Sequence, residues 1–369
     1  MSTSIDTKVA WDTYCTEELL RIRPILKAHG FTLDEVQPHL QGERYLMHAV
    51  TTTSGKKLIL LGKDATGKRV VIKATRDDAG IAELIHERKC RTLITAIDFA
   101  GEVFHTPQEI VFLREDSYAL SVQEYIEQTC SFLERPIEEQ FALALRAFKD
   151  QESAHATTWK HRARVQDVFG MRDVTTYHDA FLSFKTDIQR ALPEAHHLHT
   201  LMASAMKLLT EHRITIEQYT GFLTHTDFVP HNIRIKDDTL YLLDYSSLTF
   251  GNKYEGWARF LNFMTLHNPS LEHAFVQYVS DNRTPEESIA LRMMRIYRLG
   301  EIIWYYARTL ESSSGNLLAL NTTRVHFWGG ILTHLLTGNP IPQSVIDAYK
   351  AKRDSLRSDE EKQRQQGLH

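Results

Sequence analysis

Cysteine is scarce in this chain: 369 residues carry three, Cys15, Cys90 and Cys130. An odd number without close spacing supports neither a disulfide framework nor a zinc knuckle, so a reducing compartment is expected. An excess of charge of one sign is also missing. Lys and Arg number 43 against 47 Asp and Glu, a formal net charge of −4, whereas a general nucleic-acid binder shows a basic excess gathered on one face. No nucleic-acid partner is expected. No run of about eighteen apolar residues occurs, and the start, MSTSIDTKVAWDTYC, has no apolar stretch after a basic one. A membrane partner is not expected and a cytoplasmic location is. Internal repeats are absent as well.

What is there has ordinary globular proportions, 42% hydrophobic and 24% charged. At roughly 150 residues per domain the length suggests two domains or lobes. Residues 1–40 read as a helical extension, with Leu19, Leu20, Ile22, Ile25 and Leu26 at mixed helical spacing, an interruption at Pro24 and a stop at Gly30. From residue 41 to 126 the period changes. YLMHAV (45–50), KLILLG (57–62) and KRVVIKAT (68–75) are β-rich runs separated by the turn signals TTTSGK and DATGK, which predicts antiparallel hairpins. Asp77 and Asp78 can cap a helix through Ile97, and two further strands follow, EIVFLRE and YALSVQEYI. Residues 127–345 read as mostly helical, interrupted by two short strands, NIRIK and LYLLDY, flanking the turn residues Asp237 and Asp238. Residues 346–369 are a polar tail, and its last twenty residues are expected to be a frayed helix or disordered.

The chemistry concentrates in LTHTDFVPHNIRIKDDTLYLLDYSS, residues 223–247. Phosphoryl transfer to a hydroxyl needs a carboxylate to orient the hydroxyl and take its proton, and a divalent ion to neutralise the nucleotide phosphates. Asp227 suits the first task. Asn232 and Asp244 suit the second, because magnesium is a hard cation that prefers oxygen ligands.

His225-Thr-Asp227-Phe-Val-Pro-His-Asn232 followed by Asp244 resembles the aminoglycoside phosphotransferase and choline kinase group of small-molecule kinases, relatives of the protein kinases. The resemblance implies a bilobal α+β protein-kinase-like fold: a small N-terminal antiparallel β lobe with one helix, and a large, mostly helical C-terminal lobe. It implies ATP and Mg2+ as cofactors and a small molecule with a hydroxyl as acceptor. Asp227 would be the catalytic base, His225 a loop scaffold, and Asn232 and Asp244 the magnesium ligands. Lys73, in VVIKA, stands where the family places the lysine that binds the phosphates, and Glu87 where it places the partner carboxylate. Glu83 competes for that role on the same helix face; Glu87 is preferred because Cys90, Leu93 and Ile94 follow it with the spacing of a helix packed against the sheet. Backbone groups of Glu124, Tyr125 and Ile126 would form the hinge that meets adenine. Ser54, Gly55 and Lys56 either cover the phosphates or form an ordinary hairpin tip.

The sequence departs from the family at several points. Thr226 replaces a common glycine, and Tyr-Ser-Ser follows Asp244 where many relatives have a second acid two positions on. The stretch from Ile126 to His225 is long, which points to an added helical segment between Trp159 and Tyr219. His196 and His199 in that segment lack a third ligand for zinc and read as solvated. The single glycine of the phosphate turn and the missing second acid after Asp244 support a second reading, a kinase-like nucleotide-binding module without turnover. A kinase of protein side chains is disfavoured, since no anchor resembling A-P-E follows Asp244.

Overall fold

The computed structural model describes residues 4–43, 56–99 and 105–366. The expected strand at 45–50 and the turn carrying Ser54 and Gly55 lie outside the described residues. The N-terminal lobe is built on an antiparallel sheet of β1 (Thr32–Leu33), β2 (Leu58–Lys63), β3 (Arg69–Thr75), β4 (Glu109–Glu115) and β5 (Tyr118–Glu124), in the spatial order β1-β2-β3-β5-β4. Local chemistry sets its turns. Asp64 Oδ1 accepts from the N–H of Thr66 at 2.8 Å and of Lys68 at 3.0 Å, closing the β2–β3 hairpin. Asp116 and Ser117 take φ of 48° and 68°, the left-handed pair that matches the strand twist in a two-residue turn between β4 and β5.

The helix Ser4–Ala28 lies against this sheet. Its Trp11, Cys15, Ile22, Ile25 and Leu26 share one core with Leu60, Val70, Ile72, Leu120 and Val122. The expected interruption at Pro24 does not occur. Pro24 sits on the exposed face, and buried Ile22 and Ile25 on either side hold the helix through it, offsetting a cost of about 3 kcal/mol.

The second helix, Asp78–Thr95, is capped by Asp77, whose Oδ1 accepts from the Gly80 N–H at 3.1 Å. Its apolar stripe corrects the sequence reading. Cys90, Leu93 and Ile94 do not pack in the sheet's core; they join the large helical core with Phe132, Val165, Phe169 and Tyr245. The helix therefore reaches across to the other lobe, touching the turn Tyr245–Ser247 and the helix Arg162–Phe169.

The C-terminal lobe is organised around the capped helix Pro285–Thr309, which packs against the helices Val174–Ala191, Tyr254–His267 and Gly315–Thr337. Two small sheets are set into it: β6 (Phe222–His225) pairs with β9 (Leu248–Gly251), and β7 (Ile233–Lys236) pairs with β8 (Thr239–Leu242). The β6–β9 pair was not expected from sequence, where the run up to Gly221 and the strands after it showed no such signal. The segment expected to fray is helical over Gln343–Ser355 and Asp359–Gln366. Buried Ile346 and Tyr349 dock it on the large lobe, with the Tyr349 ring stacked on Phe327 at 4.0 Å. The result is a bilobal α+β fold, a small sheet lobe beside a large helical one. Among the described residues no helix is long and apolar enough to cross a membrane.

Candidate active site

The two small sheets form a nested hairpin, and this nesting brings distant residues together. The β7–β8 hairpin sits inside the β6–β9 pair, with Ile233 opposite Leu242 and His225 opposite Leu248. The joints at 226–232 and 243–247 must then lie side by side. Bonds between them fix the register: Leu243 N–H donates to the Asn232 carbonyl at 2.8 Å, and Thr226 N–H to the Ser247 carbonyl at 2.9 Å.

His225 is fully buried, and its Nε2 lies 2.8 Å from the Leu243 carbonyl, so Nε2 carries the proton and ties one joint to the other. Thr226 keeps φ negative and spends its hydroxyl on the Ser247 carbonyl at 2.9 Å, so a Cβ is accommodated where the family commonly has glycine. Asp227 is held at both oxygens. Asn232 Nδ2 donates to Oδ2 at 2.7 Å and to the Asp227 carbonyl at 3.0 Å, while Arg259 Nε donates to Oδ1 at 2.8 Å. Burial alone would raise this carboxyl, but Arg259, with Arg298 behind it, outweighs burial and brings it down to about 2.

Arg259 reaches Asp227 because the helix Tyr254–His267 comes very close to β6. A Cβ on Gly256 would stand 2.7 Å from Thr224 Oγ1 and 2.8 Å from the His225 carbonyl, so glycine is what permits the approach.

Asp244 takes φ 57°, ψ 65°, which turns its carboxylate back toward the joint. Ser246 Oγ lies 2.6 Å from Oδ1 and Ser247 Oγ 3.1 Å from Oδ2. Burial opposes ionisation here too; Lys73 and the Ser246 hydroxyl overcome it and hold the carboxyl below its ordinary value. Ser246 stands where many relatives have an acid, and its hydroxyl is also 3.3 Å from Glu83 Oε1.

On the facing lobe, Lys73 Nζ lies 2.8 and 2.7 Å from the two oxygens of Glu87, and Arg91 Nη2 lies 2.6 Å from Oε1. Glu87 is buried, and burial raises its carboxyl, yet the two cations outweigh burial and lower it. Glu83, the competitor, pairs with Lys57. Arg91 escaped the sequence reading, although it stands four residues after Glu87 and that spacing was the available signal.

At the expected hinge, the Glu124 N–H donates to the Gln108 carbonyl at 2.9 Å, the Arg69 guanidinium lies 3.8 Å from the Tyr125 ring centroid, and Ile126 is buried. The chain then crosses between lobes, where Gln128 Oε1 accepts from the Ile235 N–H of β7 at 3.2 Å. His199 Nε2 is engaged by the Leu192 carbonyl at 2.8 Å. Lys73, Glu87, Asp227, Asn232 and Asp244 thus converge between the lobes; Ser54 and Gly55 fall outside the described residues.

With this geometry in hand, comparison with solved structures decides the fold. An aminoglycoside phosphotransferase from Alicyclobacillus acidocaldarius superposes at TM-score 0.52 with 13% identity, over 85% of this chain and 96% of that one. The macrolide 2′-phosphotransferase MphH from Brachybacterium faecium superposes at 0.52 with 14% identity, over 84% and 98%. The chain has the aminoglycoside phosphotransferase fold. A thermostable variant of the phosphotransferase APH(4)-Ia, solved as a ternary complex with AMP-PNP and hygromycin B, matches at 0.52 with 11% identity over 78% and 92%. No protein-family model matches the sequence, and no curated protein is similar to it at the sequence level.

Proposed function

We propose that this phosphotransferase-fold protein moves the γ-phosphoryl group of ATP to a hydroxyl of a small molecule. One observation carries the reading: a single ammonium, Lys73, pairs with Glu87 on its own lobe and lowers Asp244 on the other, so the phosphate-binding lysine and the metal-binding acid share one electrostatic centre. Lys73 would bind nucleotide phosphates, and the backbone at Glu124 to Ile126 would meet the adenine edge. Ser54 and Gly55 would cover the phosphates.

Among the described residues no group of three His, Cys, Asp or Glu side chains is placed so that it could hold a metal ion by itself. The donor set nevertheless suits magnesium, which takes one or two protein oxygens and completes its shell with phosphate and water. Asn232 Nδ2 is committed to Asp227, which leaves Oδ1 for an ion, and each Asp244 oxygen keeps a lone pair beyond its serine bond. When bound, magnesium would neutralise charge on the phosphates.

Asp227 would orient the acceptor hydroxyl for attack on the γ-phosphorus. The new P–O bond forms as the bond to the ADP oxygen breaks, and the hydroxyl proton passes to Asp227. A carboxylate lowered to about 2 is a weak base, so it takes the proton late, once bonding to phosphorus has made the hydroxyl acidic. The second reading, a nucleotide-binding module without turnover, is favoured by Ser246, which offers a hydroxyl where a second acid would help hold the ion.

Thermal unfolding with and without Mg-ATP tests the first step: a nucleotide-dependent rise in melting temperature is expected, and its absence sinks the proposal. Asp227→Ala should retain that rise and lose ATP turnover by about two orders of magnitude or more. Turnover undiminished in this variant removes Asp227 from the mechanism.

A further inference from the structure

The helix Asp78–Thr95 carries Glu83 and Glu87 four residues apart on one face, and the sheet offers each of them a lysine. Lys73 pairs with Glu87, and Lys57, just ahead of β2, pairs with Glu83. Strand register accounts for the match. Ile59 stands opposite Lys73, so the two share a face of the sheet. Lys57, two residues before Ile59, falls on that same face as a diagonal neighbour of Lys73, at about 7–8 Å between backbones. The Thr75 hydroxyl donates to the Lys56 carbonyl at 2.5 Å, which keeps the chain against the end of β3 at this point. The opposite face, with Leu58, Leu60, Val70 and Ile72, is spent on the core shared with the helix Ser4–Ala28. Gly80 brings the helix down onto β3, since a Cβ there would stand 2.5 Å from Thr75 Oγ1.

Lys57 is also linked to the other lobe. Its partner atom, Glu83 Oε1, lies 3.3 Å from Ser246 Oγ, and that hydroxyl lies 2.6 Å from Asp244 Oδ1. A hydroxyl has one proton, and the shorter contact takes it to Asp244, so Glu83 relies on Lys57 to balance its charge. Against burial, which opposes ionisation, Lys57 joins Lys73 and Ser246 in lowering the Asp244 carboxyl, so its charge is felt where the metal-binding acid would stand. An ammonium has three N–H donors. Among the described residues Lys57 has Glu83 alone as partner and keeps 18% of its side chain open, much as Lys73 has Glu87 and keeps 13% open. A compact cation fixed in place by a carboxylate, with donors to spare, suits a phosphate oxygen.

We propose that Lys57 is a second phosphate-binding lysine of the nucleotide site, positioned by Glu83 as Lys73 is by Glu87. The assignment rests on the phosphotransferase reading above and adds a binding residue to that site, next to a turn that has a single glycine. Isothermal titration of the full chain with Mg-AMP-PNP and with adenosine tests it. Lys57→Gln should weaken Mg-AMP-PNP binding about tenfold or more and make the remaining affinity less dependent on salt. Adenosine, which has no phosphate, should bind the variant within about twofold of the parent. Lys57→Arg should keep part of the Mg-AMP-PNP affinity, because it keeps the charge. Unchanged Mg-AMP-PNP affinity in Lys57→Gln overturns the assignment. So does an equal loss for adenosine, which would make Lys57 only a tie between helix and sheet. Should Lys57→Gln not fold, the double variant Lys57→Gln with Glu83→Gln, which leaves no acid of the pair uncompensated, is held to the same two outcomes. A parent chain without a Mg-ATP-dependent rise in melting temperature sinks the phosphotransferase reading, whereas that rise together with an unaffected variant sinks the Lys57 assignment alone.

Discussion

Arg259 sets the ionisation of Asp227, and that interaction can be read in stability against pH. A carboxyl lowered to about 2 in the folded chain contributes stability that is fully present above the unfolded value near 4 and is lost as pH falls toward 2. Arg259→Met should therefore cost about 1 kcal/mol at neutral pH, a figure reduced for solvent screening because the Asp227 side chain is 36% exposed. Chemical unfolding at a series of pH values should show the gap between parent and variant closing from pH 4 downward. A gap that stays constant to pH 2 would mean that Arg259 acts through packing alone. At this scale the sequence identified Asp227, Asn232 and Asp244 by type and spacing. Arg259 has no such signature, because a partner thirty-two positions away leaves no local pattern.

Among the elements, the helix Asp78–Thr95 carries the most consequence. Its polar face holds Glu87 for Lys73, while its apolar face is buried in the opposite lobe's core with Tyr245 and Phe169. Leu93→Ala should then cost about 2–4 kcal/mol, as a truncation in a large packed core does, and urea unfolding should register it in the main transition. A loss under about 1 kcal/mol would place Leu93 outside that core. The strand runs β2, β3, β4 and β5 were legible, because they are short β-rich runs and the turn signal DATGK parts the first two. The short strands β6 and β9 were not. FLTH and LTFG are too brief to show a period, and they become strands only by pairing with each other.

Across the whole molecule the polar C-terminal segment joins the lobes. The helix Gln343–Ser355 is anchored in the large lobe through Ile346 and Tyr349, and the next helix meets the small lobe, where Gly42 N–H donates to Glu360 Oε1 at 3.1 Å and Glu43 N–H to Glu361 Oε2 at 2.9 Å. Truncation after Leu356 should expose both amides. Hydrogen exchange at Gly42 and Glu43 should accelerate by about tenfold or more in the shortened chain, and unchanged protection would show that the contact does not hold these residues.

Composition and period, read without coordinates, determined the two-lobe division, four of the small-lobe strands and the residue types of the candidate site, since each depends on neighbours within a few positions. Only the tertiary structure decided that Glu87 rather than Glu83 faces Lys73, that the Asp78–Thr95 helix packs across the lobes, that Arg172, just ahead of the helix Val174–Ala191, meets Glu255, and that a composition suited to disorder docks as a helix. Those outcomes depend on burial and charge pairing between residues far apart in the chain, where the energy of a contact is set by which surfaces the fold has left uncovered.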